Sequence, residues 1–192
     1  MPHDAPEFRP GDVLATRFTG TLSERNGVPV ERLPTPERLV DWFAWSGLAV
    51  DDCTAGDLEQ ARLLRESIHA AATAAATGDA LPGAAIEVLN ACSARGRAFA
   101  VLTPDRCRRW SLGPESAIDD ALGVIATDAI SLLTGGRAGR LALCASPTCR
   151  AAFLDTSRGR TRRWCDMNTC GNKEKKARFV ATRRDGEKES GQ

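Results

Sequence analysis

Two short cysteine loops decide how the C-terminal part of this sequence folds: Cys144-Ala-Ser-Pro-Thr-Cys149 and Cys165-Asp-Met-Asn-Thr-Cys170. Both have the form C-x4-C, and fifteen residues separate them. Two such loops that meet across a short hairpin bring four sulfurs to one point, which suits tetrahedral zinc with Zn–S bonds of about 2.3 Å. The sequence therefore predicts a zinc module over residues 140–184. We expect this module to bind one Zn(II) per chain through Cys144, Cys149, Cys165 and Cys170.

A pair of disulfides is the competing interpretation of these cysteines. The chain has seven cysteines, so at least one thiol would stay unpaired. Residues 1–10 contain no apolar signal-peptide core, which predicts a cytoplasmic protein. Cysteine pairs in that reducing compartment bind metal more often than they cross-link. The three scattered cysteines, Cys53, Cys92 and Cys107, are expected to be small core side chains, with a redox role left open.

The residues around the two loops resemble the CGNR zinc-finger family. In that family a C-x4-C loop is followed by an F-L-D-x-S segment and then by an R-x-W-C-x4-C-G-N-R signature. The counterparts here are Phe153 to Ser157, Arg163-Trp164-Cys165 and Cys170-Gly171-Asn172, with Lys173 in place of the last Arg. Lys173 keeps the charge but not the planar fork that makes two parallel hydrogen bonds. The resemblance implies a DNA-binding finger in a bacterial stress-induced transcription regulator with an ABATE-like N-terminal domain.

The N-terminal domain of such regulators opens with a segment similar to L-D-F-x-N-T. The nearest stretch here is Thr16-Arg-Phe-Thr-Gly-Thr21. It puts Arg17 and Gly20 where the family has Asp and Asn. The resemblance therefore implies that a ligand contact made by those two family residues is lost in this chain.

Charge is distributed unevenly along the chain. Residues 1–140 carry 14 basic and 19 acidic residues, whereas residues 141–192 carry 12 and 6. A nearly neutral protein with one small basic module has the charge pattern of a protein that binds nucleic acid. We expect the DNA contacts in the turn 158–163 and on one face of a helix over 172–184, although such charges are often only solvated. The candidate residues are Arg158, Arg160, Arg162, Arg163, Lys173, Lys176, Arg183 and Arg184.

Helical periodicity dominates before the cysteine loops. Thr35 is the predicted N-cap of a helix from Pro36 to Gly47, and Asp57 is the predicted cap of a helix to Thr77. Other caps and breakers predict helices over 12–19, Pro82 to Ala94 and Pro114 to Thr134. A loop is predicted from Asn26 to Pro34, and a β-hairpin over 97–112 with its turn at Thr-Pro-Asp-Arg. The predicted fold class is α+β. A mainly helical N-terminal regulatory domain with a small β-hairpin (1–136) precedes a four-cysteine zinc finger of short strands and a basic helix (140–184). A disordered tail is predicted over 185–192.

A DNA-binding transcriptional regulator is the leading hypothesis, with double-stranded DNA as the partner. The N-terminal domain would sense a small-molecule effector, in an apolar pocket near Trp42, Trp45 and Ile68, or form a homodimer. A finger that binds RNA or a protein without reading DNA is the alternative, and an enzyme domain with an accessory finger is a third reading. We expect no enzyme, because the chain has two histidines and no phosphate-binding glycine loop or HExxH motif. We also expect no membrane span, because no apolar run reaches about eighteen residues.

Overall fold

Short antiparallel hairpins are inserted between the helices of this chain. The computed structural model describes residues 7–11, 13–114, 117–177 and 179. Its helices are α1 (Leu14–Thr19), α2 (Pro36–Trp45), α3 (Ala55–Thr77), α4 (Gly83–Arg95) and α5 (Ala117–Leu133). The strands pair as β1 (Leu22–Ser23) with β2 (Val30–Glu31), β3 (Phe99–Leu102) with β4 (Arg108–Ser111), and β5 (Arg140–Leu143) with β6 (Ala152–Asp155). The predicted α+β class is confirmed.

The last described element belongs to the zinc module, and we call it the finger helix. It opens with a π-helical turn over Met167–Gly171 and continues as α-helix over residues 172–177. The α-helical part begins at Asn172 as expected, whereas the π-helical turn before it was not predicted. The side chain of Asp166 caps the helix by accepting from the N–H groups of Asn168 and Thr169, which places the first turn between the last two cysteines. The predicted extension to Arg184 and the tail over 185–192 lie outside the described residues.

The helix starts follow local capping chemistry. Thr35 caps α2 by accepting from Arg38 N at 3.4 Å, as predicted. For α3 the expected cap, Asp57, was wrong. Thr54 is the cap, and it accepts from Asp57 N at 3.2 Å while Asp57 accepts from Thr54 N at 2.8 Å. This reciprocal capping box starts the helix at Ala55, before the predicted residue.

An ion pair between a buried arginine and a half-buried glutamate explains a hairpin that periodicity did not reveal. The expected loop over 26–34 contains β2, whose two residues are too few to show an alternating pattern. Glu31 accepts from both terminal nitrogens of Arg65 on α3, at 2.7 and 2.8 Å. Arg65 is 3% exposed and also donates to Glu66. The pair therefore fixes the β1–β2 hairpin on α3.

The main core fills the space between α1, α2, α3, α4 and α5. Trp42 and Ile68 are enclosed in it, with exposures of 0% and 1%, and Phe18 packs on Trp42 with ring centroids 4.9 Å apart. Trp45 lies at the surface beside Phe8. The apolar effector pocket expected at Trp42, Trp45 and Ile68 is thus absent from the described part of the chain. No helix in that part is long and apolar enough to cross a membrane.

One close helix contact and one buried carboxylate position the β3–β4 hairpin. A Cβ atom on Gly123 of α5 would lie 2.6 Å from the Cα of Gly96, so the chain after α4 can approach α5 only with glycine there. Asp120, also on α5, is fully buried and accepts from Arg97 N and Gly113 N, both at 2.6 Å. These bonds hold both ends of the hairpin, while β3 itself stays exposed.

The β5–β6 hairpin of the zinc module joins the same core. Leu154 is 8% exposed and belongs to the main cluster, and Leu141 packs against it. The hairpin lies on α3, and β6 also contacts α1. The zinc module predicted over residues 140–184 therefore shares the main core through these two strands. Their apolar side chains find more buried surface on the helices than a module of this size can provide alone.

Candidate metal centre

The first cysteine loop is a tight turn at the end of the β5–β6 hairpin. Cys144 N donates to Ala151 O at 2.9 Å, which extends the strand pairing to the first ligand. Cys149 N and Arg150 N both donate to Ser146 O at 3.2 Å. Arg150 is in the left-handed region with φ of 50°, which turns the chain back into β6. The loop thereby directs both of its sulfurs to the same side.

The second cysteine loop is wrapped around the opening turn of the finger helix. Cys165 precedes that turn and Cys170 lies inside it, so the turn itself sets their separation. Ala145 N donates to Arg163 O at 2.8 Å, which joins the second loop to the first. Arg162 donates from Nε to Trp164 O at 2.8 Å and from Nη2 to Cys165 O. The Arg162 guanidinium therefore stabilises the second loop.

The four sulfurs have the spacing of a tetrahedral zinc site. All four lie within 4.8 Å of one another, and Cys165 Sγ is 3.7 Å from Cys149 Sγ and 3.6 Å from Cys170 Sγ. Zn–S bonds of about 2.3 Å in a tetrahedron place sulfurs about 3.8 Å apart. Disulfide sulfurs would be about 2.05 Å apart, and all four cysteines are free thiols. The prediction of one zinc ion held by these four residues is confirmed.

The crowding of the four sulfurs also favours a bound cation. Hydrogen bonds shared with neighbouring sulfurs, that of Cys144 first, and burial raise the pKa of the Cys165 thiol far above its usual range. Cys144, Cys149 and Cys170 are buried, and Cys165 is half-buried. Four crowded thiols cannot all ionise by themselves, whereas Zn(II) neutralises two of the four thiolate charges. Metal binding therefore releases protons and weakens in acid.

Family models match both parts of the chain. Residues 12–136 match ABATE, described as "Putative stress-induced transcription regulator", and residues 140–183 match the CGNR zinc finger. The chain belongs to the ABATE family. The resemblance to CGNR fingers is likewise confirmed. No curated protein matches the chain.

The CGNR signature residues pack directly behind the metal ligands. Trp164 lies against the cysteine cluster. A Cβ atom on Gly171 would lie 2.8 Å from Met167 Sδ and 3.3 Å from Trp164 Cδ1, so the glycine lets the indole approach the helix. The Arg163 guanidinium stacks on Trp164, 5.1 Å from the ring centroid. The signature thus describes the packing of the second loop.

The predicted nucleic-acid residues separate into three groups. Arg158, Arg160, Arg163 and Lys176 are exposed. Arg162 and Lys173 have partners inside the protein, so a phosphate would compete with those partners. Arg183 and Arg184 lie outside the described residues. The first group is therefore accessible on the finger surface, and the binding of these four residues to DNA stays a prediction.

Lys173, the position at which the CGNR pattern has Arg, ties the finger to the helical domain. Lys173 Nζ donates to Glu24 Oε2 at 2.6 Å and to Thr148 Oγ1 at 2.9 Å. Thr148 Oγ1 also donates to Glu24 Oε2, and Asn26 N donates to Thr148 O at 3.0 Å. The hydrogen bond to Glu24 raises the pKa of Lys173. The β1–β2 hairpin thus holds the first cysteine loop in place.

The two departures from the ABATE opening motif also lie near the finger. Arg17 and Gly20 line a cleft of about 280 Å³ that also touches Phe153 and Arg162.

Sequence reasoning missed two residues that shape the finger, Asp155 and Asp166. The local signal for both was present, because an Asp followed closely by Ser, Thr or Asn favours turns and helix caps.

Proposed function

We propose that this protein is a cytoplasmic transcriptional regulator whose zinc finger binds double-stranded DNA through a preformed basic loop. The loop comprises residues 157–162, between β6 and the second cysteine loop. Membership of the ABATE family and the CGNR finger support a regulatory role. The geometry of the loop supports a direct contact with phosphate groups.

A buried carboxylate fixes the loop, and this observation carries the proposal. Asp155 is fully buried and accepts from Ser157 N and Arg162 N, both at 2.9 Å. Arg160 adopts φ of 49°, which completes the turn. Arg158 and Arg160 project from this clamped segment as exposed cations. A loop that is ordered before binding loses less conformational entropy when it meets a phosphate backbone.

The charge of the finger supports the same conclusion. Residues 140–177 contain nine Lys and Arg but three Asp and Glu. Zinc with four thiolates contributes about −2, so the module keeps a net charge of about +4. Asp155 and Glu174 are engaged inside the module, the latter by Ser146 Oγ at 2.9 Å. The positive potential is therefore on the outer surface, where a polyanion can reach it.

The helical domain would regulate the finger through their shared core. Because β5 and β6 lie on α3, a displacement of that helix changes the position of the cysteine loops. We propose that an effector or a second copy of the chain acts at this domain. We propose no catalytic role: the one described histidine, His69, lies beside Arg25 and Arg65, and burial first and then Arg25 lower its pKa to about 4.

Selection of genomic fragments followed by fluorescence anisotropy tests the proposal. The zinc-loaded protein should bind a selected duplex with log K falling against log salt at a slope of about −3.6, for phosphate contacts by Arg158, Arg160, Arg163 and Lys176. The double variant Arg158→Gln/Arg160→Gln should weaken binding and flatten the slope by about 1.8. Arg95→Gln, which removes an exposed charge paired with Asp119 on the helical domain, is the matched control.

The outcome distinguishes the candidate functions. An unchanged affinity and salt slope in the double variant would show that this loop is not the DNA-binding surface. Tighter binding of single-stranded RNA than of duplex DNA, lost in the same variant, would favour the RNA-binding alternative.

A further inference from the structure

A second cleft, on the helical domain, gathers three arginine side chains. It has a volume of about 300 Å³ and lies away from the cysteine cluster. Its polar lining comes from five segments of the chain: Arg17 on α1, Ser46 after α2, Arg108 on β4, Asp128 on α5 and Arg137 after α5. We call it the arginine cleft.

The arginine cleft holds polar atoms that lack partners. Arg17 Nε, Ser46 Oγ and Arg137 Nε are buried and have no hydrogen-bond partner among the described residues. Buried donors in native proteins are nearly always satisfied by protein, water or ligand. Three residues that line one cleft thus each carry a buried polar atom without a partner, which indicates that the cleft is short of hydrogen-bond partners.

The charge of the cleft selects the kind of acceptor. Asp128 is the one acidic side chain among its described lining residues, and it accepts from Arg137 Nη2 and from Ala15 N, the latter at 2.9 Å. Burial lowers the pKa of Arg17, and attraction to Asp128 offsets this in part, as expected for a guanidinium with too little negative charge nearby. Three cations against one carboxylate leave an excess of positive charge.

Two tryptophan rings hold two of the three guanidinium groups in position. The Arg17 guanidinium lies 5.4 Å from the ring centroid of Trp45, and that of Arg108 lies 5.0 Å from the centroid of Trp110. Stacking engages the face of a guanidinium and leaves its N–H edge available for an oxyanion. Leu14, Trp110 and Val124 supply an apolar wall beside these cations.

We propose that the arginine cleft binds a small organic anion, a molecule with one carboxylate or phosphate group on a short apolar body. The oxyanion takes the N–H groups of Arg17 and Arg137 and the Ser46 hydroxyl. The apolar body lies on Leu14, Trp110 and Val124. The volume suits a molecule of this size, at the lower end of small-molecule sites.

Binding there has a direct route to the finger. Arg137 lies between α5 and β5, and its bond to Asp128 holds that connection on α5. An anion competes with Asp128 for Arg137 and so changes how the connection is held. This regulatory consequence rests on the proposed function, whereas the binding site itself does not.

Isothermal titration of the zinc-loaded full chain at low salt, with benzoate and with phenyl phosphate as probes, tests the site without DNA. At least one probe should bind saturably with Kd below about 1 mM, in the range open to a ligand of this size. Arg17→Gln and Arg137→Gln should each weaken binding about tenfold or more, the effect expected when a charged partner of an oxyanion is removed. Arg109→Gln, an exposed neighbour of Arg108 that does not line the cleft, should bind as the wild type does.

Asp128→Asn keeps an acceptor for Ala15 N but removes the competing charge, so it should tighten binding severalfold. A misfolded variant cannot give that gain. The proposal would be overturned if neither probe bound saturably up to about 10 mM, well above the expected Kd. It would also be overturned if the Arg17 and Arg137 variants bound the probes as tightly as the wild type does. Because no DNA is present, either result leaves the DNA-binding proposal to its own test.

Discussion

The helical domain and the zinc finger are stabilised by different means. In the helical domain, buried side chains from all five helices form one continuous apolar core, with Trp42 and Leu122 fully enclosed. In the zinc finger, the buried cluster consists of Cys144, Cys149 and Cys170, with Cys165 and Trp164 packed against them. The first region folds by burying apolar area, and the second depends on metal ligation.

The β5–β6 hairpin shows where one kind of stabilisation gives way to the other. One part of it, Leu141 and Leu154, packs on the helices, while its turn carries Cys144 and Cys149. The border therefore runs through a single hairpin. The domain boundary that the sequence indicates near residue 140 is therefore not the place where stabilisation by apolar burial changes to stabilisation by metal ligation.

The largest expected effect comes from removing a metal ligand. Cys165→Ser should lose zinc, and residues 157–177 should then lose protection against hydrogen exchange, because the second loop has no apolar core of its own. The helices α1–α5 should stay protected. Elemental analysis and hydrogen-exchange mass spectrometry measure both results.

Cys107→Ser is the matched control. Cys107 is exposed, so the core position expected from the sequence was wrong for it, and it is far in sequence from the ligands. It should keep one zinc per chain. Retention of zinc by Cys165→Ser, or unfolding of all five helices in it, would contradict the division between the regions.

A core truncation in the hairpin should come next in size. Leu154→Ala leaves a cavity between β6 and the helices, and we expect the free energy of unfolding to fall by about 2–5 kcal/mol. Denaturant unfolding followed by circular dichroism should show this loss for the helical domain. Leu102→Ala, at a side chain 79% exposed, should change the same free energy by less than about 0.5 kcal/mol. Loss of stability confined to the finger would contradict a shared core.

Acid should destabilise the helical domain through His69, which lies on α3. Burial and Arg25 lower its pKa from 6.5 to about 4, so the unfolded chain binds a proton between these values and the folded chain does not. The stability that neutral His69 contributes is therefore complete above pH 6.5 and is lost as pH falls toward 4, by up to about 3 kcal/mol.

Denaturant unfolding of the wild type and His69→Gln from about pH 7 to about pH 4 measures this contribution. The wild type should lose more stability than the variant over that interval. Acid release of zinc affects both proteins equally and cancels in the difference. Parallel pH curves would exclude His69 as the source.

The smallest expected effect concerns the Lys173–Glu24 ion pair, which joins the finger to the helical domain. Lys173→Ala removes an exposed ion pair with Glu24, so global stability should fall by less than about 1 kcal/mol. Hydrogen exchange in the first cysteine loop should still accelerate, because Thr148 and Glu24 lose a shared donor. Lys173→Arg should restore most of the protection. An unchanged exchange rate in the alanine variant would show that Thr148 alone holds the loop.

The sequence predicted those features that depend on local chemistry. The zinc ligands follow from spacing, α2 from Thr35 and Pro36, and the β3–β4 hairpin from its turn. Features that depend on distant partners escaped it. The bonds from Arg162 to Trp164 O and Cys165 O, the Lys173–Glu24 pair and the fit of Leu154 into the main core join segments whose proximity no local pattern encodes. The arginine cleft likewise collects side chains from five separate segments.

The place of Leu154 in the main core has a consequence for synthesis of the chain on the ribosome. Leu154 comes 140 residues after Leu14, the first residue of α1, yet it closes the surface that α1 and α3 present. A nascent chain that ends before β6 therefore displays an apolar groove on its completed helices. Such a groove is a site for chaperones or aggregation. The core of the helical domain is complete only after the first part of the finger has been synthesised. A product truncated before β6 would therefore lack both the metal site and part of the core.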